Sequence, residues 1–351
     1  MEQPTAFLKT LLATPSPSSE EAAAARLWRA EAGQFADTVY ADVRGSSFAV
    51  LEGGAPRVLL AGHIDEIGLM VSYIDDEGFL SFSGVGGWDS QVLVGQRVRL
   101  IGRGGEIIGV VGKKAIHLMK PEERDKVSKI DDLWIDIGAA NRAEALERVR
   151  VGSVGVIDGP VYEFPHGRVV SRGLDNRIGA FTVLEALRLL AQDRPKATVA
   201  AVATSQEEIT FAGAYTAAYS FDPQVAIVVD VTHATDSPGS DKRRQGDVRL
   251  GGGPVLERGS AVSPVIFDML LAAAERENIP HVVTISPART GTDADAINLT
   301  RAGVATGLVS IPNRYMHSPS EMIELADVAY AAQLIAAFVR DLDAQTDLVP
   351  R

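Results

Sequence analysis

The sequence contains no cysteine, which excludes disulfide bonds, thiolate nucleophiles and cysteine-rich zinc modules. Basic residues are few, 34 against 46 acidic ones, and the formal net charge is -12. No basic stripe with interleaved aromatics occurs, so nucleic acid is not an expected partner. No apolar run approaches the roughly 20 residues that span a bilayer, and the N-terminus shows no basic segment followed by an apolar one. We therefore expect a cytoplasmic protein without a membrane segment.

The apolar residues that are present, 46% of the chain, suffice for a substantial core. A helical pattern runs from Ile178 to Leu190, after which strands and helices alternate to the end of the chain. These features predict an α/β fold with a mixed, largely parallel sheet and helices on both faces. The runs with the length of buried parallel strands are Val58–Ala61, Ala200–Ala203, Ala226–Val229 and Gly307–Ser310.

Between residues 69 and 164 the sequence pattern changes to short runs of alternating apolar and polar residues, separated by many glycines. This pattern is typical of closely spaced strands and turns. The sequence therefore predicts an α/β catalytic domain made of residues 1–68 and 165–347, with a β-rich, barrel-like domain inserted over residues 69–164. Ser18 or Ser19, followed by two glutamates and an alanine-rich run, predicts the N-cap of the first helix. Residues 348–351, Leu-Val-Pro-Arg, match half of a thrombin site and are interpreted as a remnant of a cleavable tag.

Acidic and imidazole side chains follow these apolar runs closely in the sequence. In open α/β sheets, ligands collect outside the carboxyl ends of the strands. Divalent metals accept carboxylate oxygen and imidazole nitrogen, and two ions about 3.5–4 Å apart need a carboxylate that bridges them. The pattern indicates a two-metal hydrolase site. Its candidate residues are His63, Asp175, Glu207, Glu208, Asp230 and His317.

Several of these residues also have a simpler interpretation. His63 and Asp65 lie on the same side of an extended backbone, so the carboxylate could orient the imidazole, or both could belong to a capped turn. Asp175 precedes a helix and could cap it near Ile178. Asp230 could be a solvated strand end.

The adjacent pair Glu207 and Glu208 is harder to dismiss. Two neighbouring acids on an extended backbone would point in opposite directions, so that one could bind metal while the other acts on a water as a proton shuttle. His317 lies in a loop without hydrophobic period and has no packing role there. The remaining histidines are assigned structural roles: His117, His166, His233 and His281.

Other common catalytic signatures are missing from the sequence. Its glycine clusters lack the strand and helix context of a dinucleotide site, no Walker-type motif occurs, and no Gly-x-Ser-x-Gly elbow supports serine hydrolase chemistry. The long polar loop from Ser237 to Gly253 is a candidate functional loop, and together with residues 287–295 it is expected to shape the substrate pocket.

Five segments taken together resemble the tetrahedral-type metalloaminopeptidases, that is, the glutamyl and deblocking aminopeptidases, some of which carry the name endoglucanase M. The resemblance covers essentially the whole chain and implies a zinc-exopeptidase-like fold. It rests on Gly62–Gly68, Gly173–Arg177, Gln206–Glu208, Val229–Thr232 and Arg314–Pro319.

The resemblance implies two divalent metal ions per subunit, zinc or alternatively cobalt or manganese. The first ion would be held by His63, Asp175 and Asp230, and the second by Asp175, Glu208 and His317. By the same resemblance, Glu207 would be the general base, Asp65 would orient His63, and Asp175 would bridge the ions.

The family also implies short peptides as substrates and an assembly in which the inserted domain packs dimers. Six dimers would then form a hollow dodecamer. Three alternatives remain open at the level of sequence: a glycosidase, a metal carboxypeptidase or deacylase that would use Arg289 or Arg314 for a substrate carboxylate, and a non-catalytic scaffold. Adjacent acids such as Glu207 and Glu208 fit poorly with the two opposed carboxylates of a glycosidase.

Overall fold

The computed structural model describes residues 2–351. The strands are β1 (Thr38–Ala41), β2 (Ser47–Leu51), β3 (Gly54–His63), β4 (Gly68–Ile74), β5 (Leu80–Val85), β6 (Arg97–Gly102), β7 (Gly105–Lys113), β8 (Leu133–Asp136), β9 (Val154–Ile157), β10 (Tyr162–Phe164), β11 (Arg168–Ser171), β12 (Ala197–Thr204), β13 (Val225–His233), β14 (Val255–Gly259), β15 (Val282–Ser286), β16 (Ala305–Asn313) and β17 (Glu321–Glu324). The helices are α1 (Glu2–Ala13), α2 (Ala22–Ala32), α3 (Pro121–Arg124), α4 (Arg142–Arg148), α5 (Leu174–Gln192), α6 (Glu207–Thr210), α7 (Ala212–Phe221), α8 (Lys242–Gln245), α9 (Pro264–Arg276), α10 (Ala294–Ile297) and α11 (Leu325–Arg340).

A mixed eight-stranded sheet has the order β1-β2-β12-β3-β13-β16-β14-β15. Strands β12, β3, β13 and β16 run parallel to one another in its centre, and antiparallel pairs occur toward both edges. Helices pack on both faces of this sheet: α11 contacts α5 and α9, and α7 and α10 form a second contact group. The predicted fold class is confirmed.

The central strands are buried because both of their faces are covered. Every residue of β12 is buried, and the predicted apolar runs lie inside β3, β12, β13 and β16. Helix α5 lies directly on β3, where a side chain at Gly62 would collide with the backbone of Gly179. Glycine at position 62 therefore permits the close approach that brings the start of α5 toward the end of β3.

The first predicted helix needs a correction. The helix after Ser18 and Ser19 is α2, and helix α1 precedes it. Neither serine caps α2, because its N-cap residue is Glu21, which makes no side-chain capping bond. The Ser18 hydroxyl instead donates a hydrogen bond of 2.6 Å to the Asp65 carboxylate.

A closed six-stranded barrel with the order β4-β5-β8-β7-β6-β9 occupies the glycine-rich part of the chain. It has its own buried apolar cluster, separate from the larger cluster around the eight-stranded sheet. Strand β10, which lies within residues 69–164, pairs with β11, and β11 pairs with β17 outside that range. Over residues 2–351, no helix combines the length and apolar character that a bilayer span requires.

Candidate metal centre

The predicted site residues converge at one edge of the eight-stranded sheet. His63 is the last residue of β3, and Asp230 lies in the last half of β13. Glu207 and Glu208 open α6 shortly after β12, and His317 follows the end of β16 by four residues. Because these strands are parallel, their carboxyl ends bring the side chains together.

The Asp175 carboxylate lies between the two histidines. One of its oxygens, Oδ1, is 3.2 Å from His63 Nε2, and the other, Oδ2, is 3.3 Å from His317 Nε2. Asp175 does not cap α5, whose N-cap residue is Gly173 and has no side-chain capping bond. Asp175 and Asn176 have non-helical backbone angles, and Asn176 Oδ1 accepts a hydrogen bond from the Gly179 amide where the regular helix begins. The same side chain donates to the Val229 carbonyl, which ties the start of α5 to β13. The Asp175 carboxylate is thereby left free to face both imidazoles.

The other acids lie on either side of Asp175. On the His317 side, Glu208 Oε2 is 3.5 Å from His317 Nε2. On the His63 side, Glu207 Oε2 and Asp230 Oδ1 are 3.6 Å and 3.9 Å from His63 Nε2. The prediction that Glu207 and Glu208 point in opposite directions assumed an extended backbone. That assumption is wrong, since both residues belong to the short helix α6 and both side chains reach the site.

Asp65 holds His63 and α6 in place together. His63 Nδ1 lies 3.3 Å from Asp65 Oδ1 and 3.1 Å from the Asp65 carbonyl, so its Nε2 is left to face the other acids. The Asp65 carboxylate also accepts hydrogen bonds from the backbone amides of Glu207 and Glu208, at 3.1 Å and 3.3 Å. With the bond from Ser18, this completely buried carboxylate has partners on several sides.

Two buried glutamates that sequence reasoning missed support the centre. Glu321, on β17, accepts one hydrogen bond from the Asp175 amide at 2.9 Å and another from the His317 amide at 3.0 Å. It fixes the spacing of those two segments, although no apolar run precedes it. Glu66 pairs with two arginines that flank Asp175: Arg172 at 2.5 Å and Arg177 at 2.9 Å. Its position next to Asp65 in the sequence was the one signal from which a role for Glu66 near the site could have been predicted.

The electrostatics of the centre are dominated by buried acids. Burial raises the pKa of Glu207 to about 11, with His63 opposing the shift and Asp230 adding to it. Burial likewise raises the pKa of Glu208 and of Asp230 well above the usual range. Burial would also raise the pKa of Asp175, but hydrogen bonds from the two histidines hold it well below that range. Burial lowers the pKa of His63, but Glu207 and Asp175 reverse this and raise it.

This donor set fits divalent cations. Ligand atoms of His63, Asp175 and Glu208 lie within 4.8 Å of one another, and so do those of His63, Glu207 and Asp230. Glu207 Oε1 and Glu208 Oε1 are buried and have no hydrogen-bond partner among the described residues. Burial and mutual repulsion raise the pKa of these acids, and cations bound among them would favour their ionised forms.

A cavity of about 410 Å³ opens beside the centre. Residues 290–292 line it, as expected of the loop over residues 287–295, but no residue of the Ser237–Gly253 loop does so in the part of the chain described. That loop borders a separate cavity. His233, which was assigned a structural role, is exposed and lines the cavity beside the centre. His117, His166 and His281 lie outside its lining.

Comparison with known proteins points to one family. The family model described as M42 glutamyl aminopeptidase matches residues 45–334. A lysyl aminopeptidase of Pyrococcus furiosus is 37% identical over 310 residues, which is 88% of each chain. The structure is similar to that of a TET aminopeptidase from a marine sediment thaumarchaeote, with a TM-score of 0.94, 34% identity and 98% of both chains covered. It is also similar to the TET1 peptidase of Pyrococcus horikoshii, with a TM-score of 0.85, 31% identity and coverage of 97% of this chain and 100% of the other. That peptidase is described as able to assemble into a tetrahedron or a large octahedral shell.

Proposed function

Because the chain belongs to the M42 glutamyl aminopeptidase family and is therefore a hydrolase, we propose that it is a two-metal aminopeptidase that releases N-terminal residues from short peptides. The observation that carries this proposal is the position of Asp175, whose two carboxylate oxygens each face a different histidine. A carboxylate in that position is what a pair of closely spaced cations requires as a bridge.

His63, Asp175 and Asp230 would hold one cation, and Asp175, Glu208 and His317 the other. Divalent cations bound there would supply Lewis acidity, which polarises a peptide carbonyl and makes water easier to deprotonate. Zinc suits imidazole and carboxylate donors, and cobalt or manganese could occupy the same site. Asp65 would keep His63 Nε2 directed at the centre through its contact with Nδ1.

Glu207 would act as the general base. Its side chain lines the cavity, and its Oε1 is buried without a hydrogen-bond partner among the described residues. Bound cations would oppose the effect of burial on its pKa and keep the side chain ionised. In this role the carboxylate takes a proton from the attacking water and returns it to the nitrogen of the leaving peptide. The Glu207 amide bound to Asp65 would fix the position from which the carboxylate acts.

The carboxypeptidase alternative loses its candidate binding groups. The Arg314 guanidinium donates two hydrogen bonds to Asp236, at 2.7 Å each, and Arg289 is exposed outside the lining of the cavity. No arginine lines this cavity over the residues described. A substrate carboxylate therefore has no preformed partner there, whereas an aminopeptidase needs none.

We also propose that the chain works in the cytoplasm as a homo-oligomer, a dodecamer built from dimers, in which residues 69–164 form the dimerisation domain. The support is the described tetrahedral assembly of the similar TET1 peptidase. The closed barrel within this range carries outward-facing apolar side chains, Ile108 and Val110 among them.

The test is release of N-terminal residues from matched free and N-acetylated peptides. Metal-stripped protein would be assayed alone and after zinc, cobalt or manganese is restored. We expect shortening of free peptides only, and only with metal. Equal cleavage of acetylated peptides would favour a deacylase or another peptidase, and release that persists without metal would contradict the two-metal proposal.

A further inference from the structure

The cavity beside the metal centre has an uncharged lining apart from the proposed metal and base residues and one histidine. Its apolar members are Ile209, Phe211, Val231 and Met316, and its small polar members are Thr232 and residues 290–292. Ile209 is 50% exposed although it is apolar, and Phe211 and Met316 are partly exposed. We propose that this cavity selects substrates whose N-terminal side chain is uncharged and mainly apolar. The inference rests on the proposed function and specifies its substrate class.

The threonines of the loop carry no charge, and their hydroxyl groups are already engaged in hydrogen bonds. Thr290 Oγ1 lies 2.9 Å from Thr292 Oγ1 and donates a hydrogen bond to Asp295 at 2.9 Å. Thr292 Oγ1 also accepts a hydrogen bond from the Ala294 amide at 3.2 Å. The polar side chains on this side of the cavity therefore hydrogen-bond within their own loop and do not present free groups to a polar ligand.

The acids nearest to that loop are not available to a cationic side chain. Asp295 accepts hydrogen bonds from the amides of Thr290 and Gly291, each at 3.0 Å. Asp293 is 1% exposed: its Oδ2 accepts a hydrogen bond from the Thr204 hydroxyl, and its Oδ1 is buried without a hydrogen-bond partner among the described residues. Neither Asp293 nor Asp295 belongs to the cavity lining. The side chain of an N-terminal lysine or arginine would thus lose its hydration without gaining an accessible carboxylate partner, since the only acids of the lining are those of the metal centre.

An acidic N-terminal side chain is also without a permanent cationic partner. Arg289 and Arg314 lie outside the lining, and Arg314 is held by Asp236. His233 is the one titratable group of the lining outside the proposed metal and base residues, among the residues described, and a neutral imidazole carries no charge. The preference inferred here therefore differs from those in the descriptions "glutamyl" of the family and "lysyl" of the Pyrococcus furiosus relative.

The test compares kcat/KM for peptides that differ only in the N-terminal residue: leucine, methionine, phenylalanine, glutamate, lysine and arginine. The assay would use metal-loaded protein at one fixed pH for all peptides. We expect the best of the apolar residues to exceed glutamate and lysine by at least about tenfold, the scale on which pockets discriminate side chains. A preference for glutamate or for lysine would overturn this inference and leave the aminopeptidase proposal intact. Release from none of the peptides would overturn both.

A matched pair of variants at Phe211 tests the same inference from the protein side. Phe211 has a left-handed φ of 55°, a conformation that Asn and Asp tolerate better than most residues, and it lies outside the proposed metal and base residues. We expect Phe211→Asn and Phe211→Asp both to lose roughly tenfold on leucine substrates, and only Phe211→Asp to improve lysine substrates. Ser220→Asp adds the same charge on the exposed part of α7 and should leave the profile unchanged. A Phe211→Asp profile equal to that of Phe211→Asn would overturn the role assigned to charge in this cavity.

Discussion

At the scale of single residues, the roles of neighbouring acids must be separated, because Glu207 and Asp230 both approach His63. Glu207 Oε2 is 3.6 Å from His63 Nε2, closer than Asp230 Oδ1 at 3.9 Å. Distance alone would therefore allow Glu207 as a metal ligand in place of Asp230. The proposed roles differ in one measurable respect: a ligand is needed to retain metal, whereas a base is needed only for turnover.

We predict that Glu207→Gln lowers kcat by roughly 10²–10⁴-fold and leaves metal content unchanged, because the amide cannot accept the proton that a carboxylate takes from water. Metal content by elemental analysis and turnover of a free peptide would be measured on the same preparation. Asp230→Asn is the matched control, and it should lose metal as well as activity. If Glu207→Gln released metal and Asp230→Asn retained it, the two roles would have to be exchanged.

At the scale of secondary structure elements, the sequence was most informative where burial is continuous. The central strands could be predicted because the apolar runs that make them recognisable in the sequence are also the residues that the fold buries. The same holds for α5 and its helical period. Helix α6 was missed because four residues carry too little periodic signal, and its position depends on the Asp65 carboxylate, which is distant in sequence. Ser18 was misassigned for a similar reason, since its partner is Asp65 rather than the nearby helix.

The segments that carry His63 and Asp175 are joined by a buried charge network. Glu66 follows β3 and pairs with Arg172, just before α5, and with Arg177 inside it. Arg177 is fully buried, and burial lowers its pKa to about 10 although Glu66 opposes the shift. A buried ion pair is weak evidence for added stability, but removal of one partner leaves uncompensated buried charge.

We predict that Glu66→Gln lowers the free energy of unfolding by about 3–5 kcal/mol, since the two arginines lose their common carboxylate. Denaturant unfolding at a fixed protein concentration would measure the change. The control is Glu163→Gln, which removes an exposed pair with Lys9 and should change the same quantity by less than about 1 kcal/mol. Equal effects of the two variants would show that the buried network contributes no more than a surface pair.

At the scale of the whole molecule, the barrel and the eight-stranded sheet have separate apolar clusters. The barrel strands lie within residues 68–157, and none of them belongs to the eight-stranded sheet that positions the metal centre. The assignment of residues 69–164 as a dimerisation domain stays a prediction. Its structural support is the outer surface of β7, where Ile107 and Val111 pack toward the barrel core while Ile108 and Val110 are 50% and 46% exposed.

Outward-facing apolar residues spaced two apart on one strand form a continuous strip. Because both side chains are already about half buried, each would gain roughly 0.7–1.5 kcal/mol if a second subunit buried it completely. We predict that the double variant Ile108→Lys, Val110→Lys prevents dimer formation, because paired charges on this strip oppose burial. Native mass spectrometry would show a shift from a large assembly to the 37.3 kDa subunit. Leu299→Lys, at an exposed apolar position on the other part of the molecule, is the control and should leave the mass unchanged. An intact assembly in the double variant would exclude this strip as the dimer contact, and dissociation of the Leu299→Lys variant alone would place an essential contact on the α/β part.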